Sequence, residues 1–144
     1  MPWSMSVRRK KGKYPPTHLG DKQLKIGFPR SKSTQSNVRK ALWNEFGTRR
    51  IPARPFLRTS MRNNRAKYLK MAHADAKQIL AGSMSIERSL ARIGIVAQGD
   101  VQMSIVAGNW TPNAPSTVKR KGSSRPLIDT GAMRQAVTWV IENA

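Results

Sequence analysis

Between residues 85 and 105 the apolar side chains fall in one series: Ile86, Leu90, Ile93, Ala97, Val101 and Ile105, at steps of four, three, four, four and four. That spacing lays them along one face of an α-helix, and Ser85 stands where its N-cap belongs. Gly94 and Gly99 interrupt the series, each at a cost of about 1 kcal/mol relative to alanine, which predicts a kink or a close helix contact. The segment is also electrically unlike the rest of the chain. Residues 83–108 carry two bases and two acids, whereas the whole chain sets 27 Lys and Arg against 7 Asp and Glu, a formal charge of +20 on 144 residues. Residues 1–40 hold eleven bases and one acid, and 41–82 hold nine and two. A polyanion or an acidic partner is the natural complement of such an excess.

Around this helix the remaining elements can be placed. RRIPARPFLR (49–58) reads as extended, since each proline pushes the residue before it out of the helical region. Thr59 or Ser60 is then a candidate cap for a helix whose apolar face is Met61, Tyr68, Leu69, Ala72, Ala76, Ile79 and Leu80. Gly82 stops it, and the short link 81–84 implies an antiparallel hairpin with the helix from Ser85. Upstream, Leu24, Ile26 and Phe28 alternate with Lys25 and Gly27 as a short strand that Pro29 ends. SKSTQSN (31–37) is turn material. Residues 38–46 have helical spacing, although so short a run also fits a strand. Near the C-terminus Val137, Trp139 and Ile141 alternate as a mostly buried strand. The fold class expected is α+β: a small antiparallel sheet packed against a helical hairpin, with a basic N-terminal arm (1–20), one domain (21–144) and a long Pro-rich loop (109–131).

The chemistry-bearing residues are sparse. The chain has no cysteine, which removes disulfides, thiolate nucleophiles and cysteine-ligated metals. His18 and His73 sit in different segments. His73 and Asp75 are two residues apart, on different faces of a helix, so no metal pair is expected. The acids form no obvious carboxylate pair, and neither a Gly-rich phosphate loop nor a GxSxG elbow is present. The reading is non-enzymatic, without cofactor or metal. No apolar run approaches a membrane span, and the cationic start lacks the apolar stretch of a signal peptide. That predicts a soluble chain without membrane partners, not exported by a signal peptide. Nonspecific nucleic-acid binding is the main rival function, since the pI is near 11.7. Zinc-finger spacing and an RNP-like strand are absent, and exposed aromatics look too few for a stacking platform.

Three segments carry a more specific signal: NEFGTRRIPARPFLR (44–58), NWTPNAPSTVKRKGSSRPLIDTG (109–131) and AMRQAVTWVIE after it. Together and in this order they resemble the tail-completion and neck proteins of tailed bacteriophages, virion morphogenesis proteins that help join tail to head. The resemblance runs through 44–144, and LKIGFPR (24–30) resembles the strand usual upstream. It fails at the N-terminus, where relatives often begin with a helix and this chain has a basic arm. It implies a structural protein of the virion neck or upper tail, made in the host cytoplasm. Its partners would be its own copies in a ring, sixfold or twelvefold, other neck and tail proteins, and the DNA in the channel. A tail terminator, which stops tube growth at a set length, is the near variant.

The motif residues it marks are Asn44, Glu45, Gly47, Thr48, Pro52, Arg54, Pro55, Phe56, Leu57, Asn109, Pro112, Asn113, Pro115, Asp129, Thr130 and Gly131. Read physically, Gly47 supplies a positive-φ turn, and Glu45 can pair Arg49, Arg50 or Arg54. Phe56 and Leu57 anchor the extended segment on the core. Asn113 and Ser116 satisfy local backbone groups, and Asp129 or Thr130 caps a single helical turn. The cations expected to face a partner or DNA are Arg8, Arg9, Lys10, Lys11 and Lys13 of the arm, and Lys119, Arg120, Lys121 and Arg125 of the loop.

Overall fold

A computed structural model describes residues 22–144; the basic arm, with Arg8, Arg9, Lys10, Lys11 and Lys13, lies outside the described residues. The fold is mixed α+β. Along the chain come β1 (Lys22–Gly27), α1 (Gln35–Phe46), α2 (Phe56–Asn63), α3 (Arg65–Leu80), α4 (Ile86–Ala107), α5 (Pro115–Lys121), α6 (Ala132–Gln135) and β2 (Thr138–Asn143). The two strands pair antiparallel, from Lys22 opposite Asn143 to Gly27 opposite Thr138. A two-stranded sheet is marginal by itself, and this one is supported by α4, which packs against both strands.

α4 is the helix of the apolar series. Ser85 caps it through its hydroxyl, which accepts from the Arg88 N–H at 3.1 Å. Ile93, Ala97, Val101 and Ile105 are buried. Gly94 makes the close contact its sequence position suggests, although the neighbour is a strand residue and not a helix. A Cβ there would lie 2.7 Å from Cδ2 of Trp139, so the indole needs the missing side chain. Gly99 faces open space.

Val101 and Ile105 meet Ala41, Phe56, Leu127, Met133 and Val137 in the core. Phe56 has no exposed surface, and Phe28 meets its ring edge-on at 6.3 Å. α2 therefore starts at Phe56, earlier than the Thr59 or Ser60 cap expected from sequence, because the aromatic anchor itself opens the first turn. Thr59 and Ser60 are inside the helix, Ser60 buried. Asn64 then separates α2 from α3.

The α3–α4 hairpin is held largely by polar contacts. Asp75, 1% exposed, accepts from the Ser89 hydroxyl at 2.8 Å and pairs with Arg92. Asp100 accepts from the Tyr68 hydroxyl at 2.7 Å and pairs with Lys67. Leu69 and Leu80, assigned to the apolar face by spacing, are exposed instead, since the side of α3 that meets α4 is narrower than the apolar face.

The segment 109–131 is not a loop throughout. It contains α5, opened by Pro115 at its first position, where a missing N–H costs nothing. Gly122, left-handed at φ 66°, closes it. Leu127 is held at φ 63° with its side chain buried; a left-handed L-residue costs about 1–2 kcal/mol, offset here by burial of the leucine.

Candidate functional site

The motif segments meet at one side chain. Arg54 is 5% exposed, in a turn between α1 and α2. Its Nε donates to the Thr111 carbonyl at 2.7 Å, and Nη1 donates to Asn44 Oδ1 at 3.2 Å. Nη2 donates to the Pro112 carbonyl at 3.1 Å and to Asn113 Oδ1 at 3.2 Å. The Arg54 N–H donates to the Asn44 carbonyl as well, at 2.6 Å. All of these acceptors are neutral, and burial lowers the guanidinium pKa below its ordinary value. The planar five-donor fork is what permits one cation to bind four divergent oxygens. Asn113 extends the network, donating from Nδ2 to the carbonyls of Arg125 at 3.2 Å and Ser124 at 3.5 Å. Arg54 thus ties the end of α1 and the entry to α2 to the start of the 112–125 excursion, and Asn113 carries the tie to its end.

Glu45 performs a second tie, and its partner differs from those expected. It is 5% exposed and accepts the N–H groups of Leu57 and Arg58, at 2.9 and 3.0 Å. Arg58 Nε adds a further bond at 2.9 Å. α2 has no capping side chain of its own, because Pro55 occupies its N-cap position. A carboxylate from α1 fills that role and complements the positive end of α2. Arg49 and Arg50 point elsewhere, and Arg54 is consumed by the loop. Gly47 adopts φ 74°, where a Cβ would meet the Ala53 nitrogen at 2.9 Å, so both its conformation and its space require glycine.

The other marked residues divide into supports and surface. Leu57 packs on the core and touches the Gly27 position. Thr48 Oγ1 accepts from the N–H groups of Arg50 and Ile51, at 3.2 and 3.1 Å. Gly131 holds the N-cap position of α6 at φ 81°, and Thr130 accepts from the Ala132 N–H at 3.3 Å; Asp129 is exposed and does not cap it. Pro52 and Asn109 are exposed. Of the loop cations, Lys119 and Arg120 are exposed on the last turn of α5, and Arg125 is exposed beyond it. Lys121 is not directed outward: it is half-buried and donates to the Arg125 carbonyl at 3.3 Å. Burial lowers its pKa, with Arg54 and Arg120 acting in the same direction against the nearby charge of Asp129.

Sequence reading did not single out the outer face of α1. Leu42, Trp43 and Phe46 are 49, 48 and 62% exposed, so the surface carries aromatic area that composition alone did not reveal. A shallow groove runs between Trp43 and the turn of Thr48, Arg49, Arg50 and Ile51. Among the described residues no cluster of three or more His, Cys, Asp and Glu could hold a metal ion. No described helix is long and apolar enough to cross a membrane. No family model, curated protein or solved structure matches this chain.

Proposed function

We propose that this chain is a non-enzymatic structural protein of a tailed-bacteriophage virion, at the neck or upper tail. Copies would close into a sixfold or twelvefold ring, complete the tail and present a surface to the head connector and other neck proteins. It would be made in the host cytoplasm and end in the virion, with the DNA of the channel facing some of its cations. The observation that supports this most is the convergence at Arg54. NEFGTRRIPARPFLR and NWTPNAPSTVKRKGSSRPLIDTG are far apart in sequence, yet Asn44, Arg54, Thr111, Pro112 and Asn113 form one hydrogen-bonded knot. Such a knot holds α5 and its exposed Lys119 and Arg120 at the surface, as an assembly protein needs for docking a partner.

Electron microscopy of particles assembled without the protein tests the proposal. DNA-filled heads beside detached tails of normal length support completion. Overlong tubes move the function to tail termination, and intact virions refute both. A second reading, nonspecific nucleic-acid binding, is favoured by the exposed cations Arg62, Arg65, Lys70 and Lys77 along α2 and α3. Steeply salt-sensitive retention of random duplex DNA, without ring assembly, would select it.

A further inference from the structure

α1 is two-sided. Ala41 and Glu45 are buried, while Arg39, Leu42, Trp43 and Phe46, spaced i, i+3, i+4 and i+7, share the outer side. Three large apolar side chains at about half exposure are adjacent there, where isolated exposed apolar residues would need no explanation. Trp43 forms one wall of the groove and Arg49 and Arg50 the other. The turn that carries the two arginines is held: Thr48 Oγ1 accepts from the N–H groups of Arg50 and Ile51, and the Thr48 N–H donates to the Ile51 carbonyl at 2.8 Å. Gly47 fixes its direction by its close approach to Ala53. Phe46 is covered on one ring face by Arg58, whose guanidinium carbon lies 4.9 Å from the ring centre. From residue 34 to 74 the sole acid is Glu45, which is buried and committed to α2.

We propose that this groove docks an acidic segment of another protein, which would lay an apolar side chain against Trp43 and set carboxylates on Arg49 and Arg50. Tryptophan and arginine are the residues most enriched at interface centres, and a cationic rim without local acids selects an acidic partner. A second copy of this chain is disfavoured by charge, since it would bring its own share of a +20 excess to a face built from a segment, 34–74, whose sole acid is the buried Glu45. Single-stranded nucleic acid is disfavoured by shape. The groove offers it one aromatic, Trp43, and no second ring beside it for a following base, since Leu42 is aliphatic and the guanidinium of Arg58 occupies one face of Phe46. The inference deepens the assembly function by giving a neighbour's chemistry, and to that extent rests on it.

The test uses the full chain and fluorescence anisotropy of a labelled amphipathic peptide of Glu, Ala and Leu. A Gln-for-Glu version serves as control and oligo-dT as competitor. The acidic peptide is expected to bind more tightly than the control, and more weakly as salt rises. Trp43→Ala and the double change Arg49→Ser with Arg50→Ser should each weaken it by about tenfold while leaving the melting temperature in place, as exposed positions allow. Equal binding of the Gln peptide, or affinity indifferent to both variants, overturns the proposal. Trp43-dependent binding of oligo-dT would reassign the groove to nucleic acid, and self-association lost in Trp43→Ala would reassign it to a second copy. Particle assembly separates the two readings. If peptide binding fails while heads and tails stay apart without the protein, docking alone falls; if they join normally, the virion function falls.

Discussion

Arg54→Lys separates the charge of the buried guanidinium from its shape. Lysine keeps the positive charge, but its ammonium is a point donor and cannot serve Asn44 on one side and Thr111, Pro112 and Asn113 on the other. Of the four side-chain bonds, spanning 2.7 to 3.2 Å, about half would be lost. Each bond to a charged group contributes about 1.5–3 kcal/mol. Thr111 and Pro112 lie at the surface, so their carbonyls recover water and return part of that cost. The net destabilisation should be about 2–4 kcal/mol, a melting temperature lower by roughly 8–16 °C at about 4 °C per kcal/mol. Reversible urea unfolding, followed by tryptophan fluorescence, measures it. A double-mutant cycle with Asn113→Ala should show coupling of about 1 kcal/mol, since the two side chains share a bond. A loss below about 0.5 kcal/mol, or strict additivity with Asn113→Ala, would refute the idea that one fork ties loop to scaffold.

Glu45→Ala should cost about 2–4 kcal/mol in the same unfolding assay, because it strips two backbone donors of α2 and the Arg58 contact at once; a cost under 1 kcal/mol would mean water caps α2 equally well. Gly94→Ala and Gly99→Ala should move thermal stability in opposite directions. The first forces a methyl into the Trp139 ring and destabilises by about 1–3 kcal/mol, and the second fills open space in a helix and stabilises by about 0.5–1 kcal/mol. Equal effects would remove the close contact from the account of α4. Burial, then the Asp100 hydrogen bond and charge, push the Tyr68 hydroxyl pKa up from its ordinary 10.0. The folded chain therefore retains a proton that the unfolded chain loses, so the Tyr68 contribution is full below about pH 10 and declines as pH rises above it. Tyr68→Phe should be less stable near neutrality by about 1 kcal/mol, with the gap to the parent narrowing in alkali; a gap constant across that range would refute the shift.

The helical series of α4, its Ser85 cap, the α3–α4 hairpin and the positions of the two strands were legible in the amino-acid order, because periodicity and capping depend on neighbours a few residues away, although β2 begins after Val137 and buries Val140 alone, where a mostly buried strand was expected. So was the need for glycine at Gly47, and the anchoring of Phe56. The start of α2 was misplaced because Glu45, which caps it, comes from another helix. α5 was hidden by the prolines and basic residues that mark a loop in local terms. The outer face of α1 had the same apolar spacing as a buried one, and only the arrangement of the other elements left Leu42, Trp43 and Phe46 uncovered. Arg54 is the extreme instance. The motif marks Arg54 and not Arg49 or Arg50, but no local pattern shows that it is the one buried, and three of its partners lie 57 to 59 residues away. A local pattern records which side chains a segment offers to its own turn of helix or strand. Which cation is withdrawn from water to gather carbonyls, and which is left at the surface for a partner, is decided when distant segments pack and the cost of burying charge is met by the oxygens they bring.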